Sequence, residues 1–181
     1  RHNRSRYERA NALLAEGAEK RSLDPEAMGA ILGDIGDSSC RLRGSIAMVL
    51  TVGSVVFRPE DGVVWVGNGE APTSHNTFVP FSLSDRDHTP AHGLFASPTS
   101  LSESARRAFE HFRRAYIAYV DDGDVDKARR EMAEACELEP RQSVYHAVVG
   151  LLALIAGDGS AATMKLDQAI ALIHAGKAVP K

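Results

Sequence analysis

The spacing of apolar residues at the start of the chain predicts two helices. Residues 3–20 carry apolar side chains at intervals of three and four, which places on one helix face Tyr7, Ala10, Leu13, Leu14 and Ala18. A second helix is predicted to begin at Asp24-Pro25, because Asp24 can accept the free N–H groups of a first turn and Pro25 has none to leave unsatisfied. The apolar face of this helix comprises Met28, Ile31 and Leu32, and the helix is expected to end at Gly33 and Gly36.

The pattern then changes to one typical of β-strands. Residues 48–57 are almost continuously apolar and rich in β-branched side chains, which predicts a strand buried on both faces. Residues 58–62 have turn chemistry, with a proline that fixes φ and a glycine that accepts positive φ, and residues 63–67 form the returning strand of a hairpin. A further strand is predicted at 77–83, and residues 84–99, with two prolines and a glycine, are interpreted as a linker or an exposed loop.

Everything from residue 100 onward is predicted to be helical. The sequence Ser100-Leu101-Ser102-Glu103 has the spelling of a capping box at the start of a helix. With Pro140 as a reference, large, small and turn residues recur after 34 residues. The first copy has Phe112, Ala115, Tyr119, Gly123, Ala128, Met132 and Ala135, and the second has His146, Val149, Ala153, Gly157, Ala162, Leu166 and Ala169.

This recurring pattern resembles the tetratricopeptide repeat, so residues 100–181 are predicted to form a tetratricopeptide-like pair of helical hairpins. Gly150 matches a common glycine of the repeat, whereas His146 replaces a large aromatic residue and His174 replaces the late proline. The second copy therefore resembles a terminal, capping repeat. Because such arrays usually need about three repeats, the pair is expected to pack against the preceding domain or another chain.

Composition excludes some classes of function. The chain has 181 residues, 44% hydrophobic and 25% charged, with a formal net charge of -3, so it can bury a core but lacks the clustered positive charge of a nucleic-acid binder. Four N-terminal arginines are interpreted as a solvated helix face rather than a phosphate site. Residues 144–156 form an apolar run that is too short for a membrane span and is typical of a buried helix.

The cysteines and the first residue bear on the compartment and on what precedes the chain. Cys40 and Cys136 lie too far apart in sequence to suggest a disulfide framework or a zinc site, which favours a reducing, cytoplasmic compartment. The chain begins with Arg1 rather than Met, so we expect a segment upstream of it.

Several short motifs occur in an order that resembles one branch of the N-terminal-nucleophile (Ntn) hydrolases. These motifs are Ser-Arg-Tyr-Glu-Arg-Ala at 5–10, Thr-Val-Gly-Ser-Val-Val-Phe at 51–57, the strand 62–67, Leu-Gly-Asp at 32–34 and Gly-Glu-Ala-Pro at 69–72. The branch contains the choloylglycine hydrolases, the penicillin V acylases and the acyl-coenzyme A:6-aminopenicillanic acid acyltransferases. The resemblance covers about residues 1–83, which would form the C-terminal part of the family's catalytic domain.

The resemblance implies a fold and an activity. The fold would be α+β, with residues 1–83 contributing part of an αββα sandwich before the helical pair. The reaction would be hydrolysis or acyl transfer at a linear amide C–N bond, by a cysteine freed at a chain N-terminus by self-cleavage and using its own α-amine as base. Arg6 matches the family arginine beside that nucleophile, where its charge would stabilise the thiolate.

The nucleophile itself is absent from this sequence. Cys40 is internal and has no free amine, so the resemblance implies an upstream segment or chain that starts with cysteine. Arg6 is therefore the one catalytic candidate in a supporting role, and its ordinary alternative is a helix arginine paired with Glu8 or Asp34. Thr51 and Ser54 also match family positions and are interpreted as residues that satisfy the sheet rather than as reactive hydroxyls.

The remaining chemical motifs favour structural roles. Pro90 prevents the helix that would bring His88 and His92 together on zinc, so Asp87, His88 and His92 are interpreted as loop residues. The acidic run 121–126 lacks the ligand pattern of a calcium loop, and Asp124 is expected to cap the following helix. Cys136 is expected to be buried and inert, and Gly67-x-Gly69 lacks the third glycine and the helix of a nucleotide-binding loop. No metal and no cofactor are predicted.

Three interpretations of function remain open. The first is an Ntn amidase or acyltransferase whose substrate is a small amide or acyl compound, with the helical tail covering the site, recruiting a partner or mediating self-association. The second is a non-catalytic interaction module in which a remnant half-domain supports the repeats. The third drops the Ntn resemblance and leaves repeats that bind an acidic peptide through Arg113, Arg129 and Arg130.

Overall fold

The computed structural model describes residues 2–36 and 45–175. The chain divides into two compact units, Arg1–Ser100 and Leu101–Lys181. Within the described residues, the first unit contains two helices and a four-stranded antiparallel sheet, and the second contains four helices. The prediction of a mixed α+β chain is confirmed at this level.

Two helices open the first unit, α1 (His2–Glu19) and α2 (Pro25–Leu32). The Asp24 carboxylate accepts a hydrogen bond of 2.8 Å from the N–H of Ala27 and Pro25 takes the first helical position, so the predicted start of α2 is confirmed. The predicted apolar face of α1 is only partly covered. Leu13 and Leu14 are half-buried, but Tyr7 is 69% exposed and does not belong to a buried face.

The sheet is a simple antiparallel meander in chain order, built from β1 (Val55–Arg58), β2 (Val63–Asn68), β3 (Thr77–Ser82) and β4 (Phe95–Ala96). The hairpin between β1 and β2 turns through a single 3-10 turn, Pro59–Asp61, which is followed by Gly62, whose φ of 65° lies in the left-handed region. The predicted hairpin and its turn chemistry are therefore confirmed, as is the predicted third strand.

The first strand is much shorter than predicted, and its burial was predicted wrongly. Residues 48–54 form no strand, because the Thr51 hydroxyl accepts a hydrogen bond of 2.9 Å from the N–H of Met48 and the Thr51 N–H donates to the carbonyl of Met48. These local bonds close a turn that competes with the extended ladder. Only Val56 is buried within β1, while Phe57 is 59% exposed.

The segment predicted as a linker or exposed loop contains the fourth strand. Phe95 pairs with Phe78 across the ladder, and the two rings stack with centroids 4.7 Å apart. Phe95 is buried, and the Trp65 indole N–H donates to the carbonyl of Gly93 at 3.1 Å. Residues 84–99 thus belong in part to the core of the first unit.

One face of the sheet is covered by α2. The buried residues of this core are Val56, Val63, Trp65, Phe78 and Phe95, with Met28 and Leu32 of α2 packed on them. Gly29 allows the close approach, because a Cβ there would lie 2.5 Å from the Phe95 ring.

The opposite face of the sheet is apolar and has no helix on it within the described residues. Two cross-strand rows line this face, one of Val55, Val66 and Val79 and the other of Phe57, Val64 and Phe81. Alternation along the strands puts all six on the side away from α2, where each is exposed or only partly buried. We call these six residues the open sheet face.

The second unit consists of two helical hairpins, formed by α3 (Glu103–Val120), α4 (Val125–Leu138), α5 (Ser143–Ile155) and α6 (Gly159–Ala175). The turns within the two hairpins are alike, since Gly123 and Gly157 both have positive φ, at 67° and 77°. Asp124 and Asp158 each cap the helix that follows, and the predicted cap at Asp124 is confirmed.

The first cap of this unit differs from the prediction. Ser102, rather than Ser100, is the N-cap of α3, and its hydroxyl accepts a hydrogen bond of 3.1 Å from the N–H of Ala105. Glu103 is then the first helical residue and lies too early to reach back as the glutamate of a capping box.

Small residues allow the helices of each hairpin to pack closely. Ala118, Ala128 and Ala162 are completely buried, and Met132 fills the space between the helices of the first hairpin. In the second hairpin, a Cβ on Gly150 would lie 2.7 Å from the Leu166 side chain. The predicted alternation of small and large positions is therefore seen as close packing of helices.

The predicted burial of the apolar run 144–156 is correct only in part. Tyr145 and Leu152 of α5 are buried, but Leu151, Leu154 and Ile155 are each more than half exposed. Within residues 2–36 and 45–175, every helix falls short of the length and hydropathy that a membrane crossing requires.

Candidate functional site

Arg6 lies on α1 one turn before Arg9, and residues three apart share a helix face. The two carboxylates considered as partners for Arg6, those of Asp34 and Glu8, bind other arginines. Asp34 accepts two hydrogen bonds of 2.7 and 3.0 Å from Arg9, and Glu8 accepts one of 2.8 Å from Arg4. The Nε atom of Arg6 is buried and has no hydrogen-bond partner among the described residues. Arg6 is thus partly buried on α1 and has no ion pair within residues 2–36 and 45–175.

Asp34 connects three segments of the first unit at the end of α2. Its carboxylate is 14% exposed and binds Arg9 of α1, and its carbonyl accepts hydrogen bonds from the N–H groups of Ile46 and Ala47 at 2.8 and 2.9 Å. A partly buried, bidentate arginine–carboxylate pair is among the stronger charged contacts. Asp34 therefore fixes the face of α1 that carries Arg6 relative to α2.

Thr51 and Ser54 are brought together by a third hydroxyl. Thr73 accepts or donates a hydrogen bond of 3.1 Å with the Ser54 hydroxyl, and its N–H donates to the carbonyl of Thr51 at 2.9 Å. Ser54 and Thr73 are both buried. The Ser54 and Thr73 hydroxyls and the Thr51 carbonyl hold the loop before β1 to the turn after β2, whereas the Thr51 hydroxyl bonds Met48 within the loop.

A glycine makes this contact between loop and turn possible. A Cβ at Gly67 would lie 2.6 Å from the carbonyl oxygen of Thr73, so only glycine fits at this end of β2. Gly67-x-Gly69 is followed by a turn and the single 3-10 turn Thr73–His75 rather than by a long helix. The structural role of Gly67 is to let the backbone of β2 approach the backbone at Thr73.

Ser74 and His75 extend the polar cluster, and sequence reasoning missed both. Ser74 is completely buried, and its hydroxyl has no hydrogen-bond partner among the described residues. The His75 Nε2 atom lies 2.9 Å from the carbonyl oxygen of Gly33 at the end of α2, so it carries the proton and donates. The signal in the sequence was the unbroken polar run 73–76 between two strands.

The chemistry available to His75 follows from this tautomer. Its Nδ1 atom is left as an unprotonated acceptor, is buried, and has no hydrogen-bond partner among the described residues. Burial lowers the pKa of His75 below its ordinary value, and the bond to the Gly33 carbonyl offsets part of that effect. The imidazole is therefore neutral near pH 7 and can accept a proton or a hydrogen bond.

The loop histidines lie against aromatic rings. His88 contacts Phe81 edge to face with centroids 6.0 Å apart, and His92 contacts Trp65 in the same manner at 6.1 Å. In the part of the chain that the structure describes, no three residues of the metal-ligating types His, Cys, Asp and Glu come together.

Cys136 is a buried thiol of the second unit. Burial raises its pKa to about 11. Its sulfur lies 3.8 Å from Nδ1 of His146, whose Nε2 donates to the carbonyl of Pro140 at 2.8 Å. The histidine that replaces a large aromatic residue is thus hydrogen-bonded on both ring nitrogens, and the predicted burial of Cys136 is confirmed. Cys40 lies outside the described residues.

The three arginines considered for peptide binding do not share a helix. Arg113 lies on α3, whereas Arg129 and Arg130 lie on α4, where Arg129 contacts the Asp158 carboxylate at 3.4 Å. An apolar cavity of about 110 Å³ lies between α3 and α5, lined by Phe112, Ala115, Tyr116, Tyr119, Met132, Val148 and Leu152.

Exposed apolar residues recur with the 34-residue period on α3 and α5. Ile117 and Val120 on α3 correspond to Leu151 and Leu154 on α5, and each of the four is about half exposed. Within each pair the residues are three apart and share a helix face. The two helices are neighbours, as the stacked rings of Phe112 and Tyr145 show. We call these four residues the α3–α5 face.

Comparisons with known proteins give no relative for this chain. A scan against protein-family models, a search of curated proteins and a search of solved structures each found no match.

Proposed function

We propose that this chain is the C-terminal part of a cysteine Ntn amidase or acyltransferase that acts on linear amide C–N bonds, with the nucleophile on an upstream segment. The observation that carries the proposal is the open sheet face. In an αββα sandwich each sheet has helices on one face and packs its apolar second face on the other sheet. The first unit has one sheet with α2 on one side and six apolar side chains on the other, which supports the proposal.

The partial covering of α1 supports the same proposal. No described side chain of α1 is fully buried, and Tyr7 is largely exposed although it lies in the Ser-Arg-Tyr motif. A further sheet and its segments would supply the missing contacts. In this arrangement the exposed apolar surfaces of the first unit are internal surfaces of the complete enzyme.

Arg6 has the supporting role at the nucleophile. Its guanidinium is always charged, and a thiolate beside it is stabilised relative to the thiol. The thiolate attacks the amide carbonyl carbon, the C–N bond breaks to leave a thioester on the cysteine, and the amine leaves with the proton held by the terminal α-amine. Water or an acceptor amine then takes the acyl group from the thioester and returns its proton to the α-amine, which restores the nucleophile. Arg9, one turn further on, is engaged by Asp34 and keeps the helix in place.

The test uses the protein purified from its source. N-terminal sequencing and mass spectrometry should find a segment that begins with cysteine, and the complete protein should cleave a simple N-acyl amide. Arg6→Ala should lower that turnover by about a hundredfold or more, because the loss of one charge-stabilising group at a reacting atom costs that much.

Arg4→Ala is the matched control on the same helix. Arg4 is exposed and pairs with Glu8 in a surface salt bridge one helix turn away, so its loss should leave turnover unchanged. A folded Arg6→Ala enzyme with normal turnover would remove Arg6 from the mechanism. A complete protein without a terminal cysteine would overturn the amidase proposal.

A second function is favoured by the second unit. We propose that the helical hairpins are tetratricopeptide-like and form an interaction module, because exposed apolar residues recur on the first helix of each hairpin. A photo-crosslinking residue placed at Ile117 should capture a protein partner, whereas the same residue at exposed Met164 on α6 should not. Equal capture at both positions would contradict a specific surface.

A further inference from the structure

The apolar cavity between α3 and α5 has an inner wall and a mouth. Ala115, Met132 and Leu152 line it and are buried, so they form the inner wall. Tyr116 and Tyr119 also line it but are 60% and 42% exposed, so the cavity reaches the surface at these two rings. A small molecule can therefore enter from solvent without unfolding the second unit.

The chemistry of the lining favours an apolar occupant. Among the described residues, no polar atom lines the cavity. A water molecule needs about two to four polar partners to occupy an internal site, so water is a poor occupant here. An apolar group that enters gains dispersion contacts with the surrounding side chains, and no hydrogen-bonded water has to leave.

The volume of the cavity selects a small occupant. Apolar cavities of roughly 150 Å³ take up benzene or xenon. The cavity between α3 and α5 has about 110 Å³, which is of the same order and leaves space for one compact group. The partly exposed rings of Tyr116 and Tyr119 can adjust around that group at the mouth.

We propose that this cavity is a binding site for a small uncharged apolar molecule of about the size of a benzene ring. The inner wall contacts the buried side of the ligand, and the two tyrosine rings cover its outer side. Affinity comes from dispersion and from the burial of apolar surface. The inference is independent of both proposed functions, because it depends on the interior of the second unit.

Benzene is the probe, and the intact chain is titrated with it while the methyl signals are followed by NMR. The methyl resonances of Ala115, Val148 and Leu152 should shift and saturate, because the ring current of bound benzene acts on the cavity wall. The methyl of Ala133, which is exposed on α4 and outside the lining, should not shift. The melting temperature should rise with benzene concentration, since a ligand that binds the folded state stabilises it.

Pyridine is the matched control ligand. It has the shape of benzene, but its ring nitrogen would lose a hydrogen bond to water and find no partner in the cavity. At neutral pH it should therefore bind about tenfold more weakly than benzene. Equal binding of the two ligands would overturn an apolar site.

Filling the cavity should remove the response to benzene. Ala115→Leu places three more carbon atoms in the cavity and should abolish both the methyl shifts and the rise in melting temperature. Ala133→Leu is the matched control outside the lining and should respond like the wild type. Val148→Phe fills the cavity from a partly buried position and gives the same test if circular dichroism shows that Ala115→Leu does not fold.

A wild type whose cavity methyl signals stay in place up to the solubility limit of benzene overturns the binding site. A response that is as large at Ile117 and Leu151 of the α3–α5 face also overturns it, because benzene would then adsorb on exposed apolar surface. A response that persists in a folded, cavity-filled variant has the same consequence.

Discussion

The imidazole of His75 donates from Nε2 to the carbonyl oxygen of Gly33 across 2.9 Å, which ties the turn after β2 to the end of α2. The two residues are 42 positions apart in sequence, so the bond joins a helix to a sheet connection. It also fixes the tautomer of the neutral ring, with the proton on Nε2 and a buried Nδ1 without one. Burial lowers the pKa of His75 and so favours the neutral ring, and the bond to Gly33 offsets part of that effect.

The stability of the protein should depend on pH through His75. Burial lowers its pKa in the folded state below the unfolded value of 6.5, so the unfolded chain binds more protons in acid. The stabilisation that the neutral ring provides is fully present above pH 6.5 and is lost as the pH falls toward the folded pKa. Its size is at most about 1.4 kcal/mol for each unit by which folding lowers the pKa. Urea denaturation at a series of pH values measures it.

His75→Gln separates this effect from that of the other histidines. The Gln amide can donate to Gly33 but does not titrate in this range. The free energy of unfolding of the variant should therefore fall less steeply than that of the wild type between about pH 7 and about pH 5. Identical slopes would mean that His75 has an ordinary pKa in the folded protein.

Gly67→Ala should destabilise the first unit. The added Cβ would lie 2.6 Å from the Thr73 carbonyl oxygen, and since that atom belongs to backbone, the loop and turn must separate at a cost of about 1–3 kcal/mol. Gly53→Ala is the control, because it has no atom within 4 Å of the new Cβ and should change stability by less than about 0.5 kcal/mol. Equal melting temperatures for the two variants would contradict the close approach.

Arg6 and Arg9 should respond in opposite ways to loss of charge. Arg9→Met leaves the mostly buried Asp34 without its partner and should cost about 1 kcal/mol, a figure reduced by the exposure of Arg9 itself. Arg6→Met removes a buried Nε that has no partner in the described part of the chain, so stability should stay within about 0.5 kcal/mol or rise. Thermal denaturation of both variants measures these changes in stability. A large loss of stability in Arg6→Met would assign Arg6 a structural role.

Local chemistry explains which elements sequence reasoning found. Asp24 and Pro25 start α2, and Gly123 and Gly157 end helices at equivalent points, because each acts on backbone within a few residues of itself. The alternation of small and large residues in the second unit is likewise a property of adjacent helices. These features could be read directly from the sequence.

The features that were missed depend on distant partners or on competing local bonds. Thr51 turns the chain with its own hydroxyl and so shortens a strand that composition favours. Phe95 belongs to a strand of two residues that exists only because Phe78 lies beside it. His75 had no sequence signal beyond a short polar run, since its partner Gly33 belongs to another element.

Adjacent residues of β1 should distinguish the two faces of the sheet. Val56 is 5% exposed under α2, so Val56→Gln buries an amide without a partner and should cost about 2–4 kcal/mol. Phe57 belongs to the open sheet face, and Phe57→Gln should change the unfolding free energy of this chain by less than about 0.5 kcal/mol. The same substitution should lower binding of an apolar fluorescent dye, because it interrupts the row formed with Val64 and Phe81.

In the complete protein the Phe57 substitution should become costly if a second sheet covers this face. A Phe57→Gln effect equally small in both forms would show that the open sheet face stays in solvent and would remove the observation on which the amidase proposal rests.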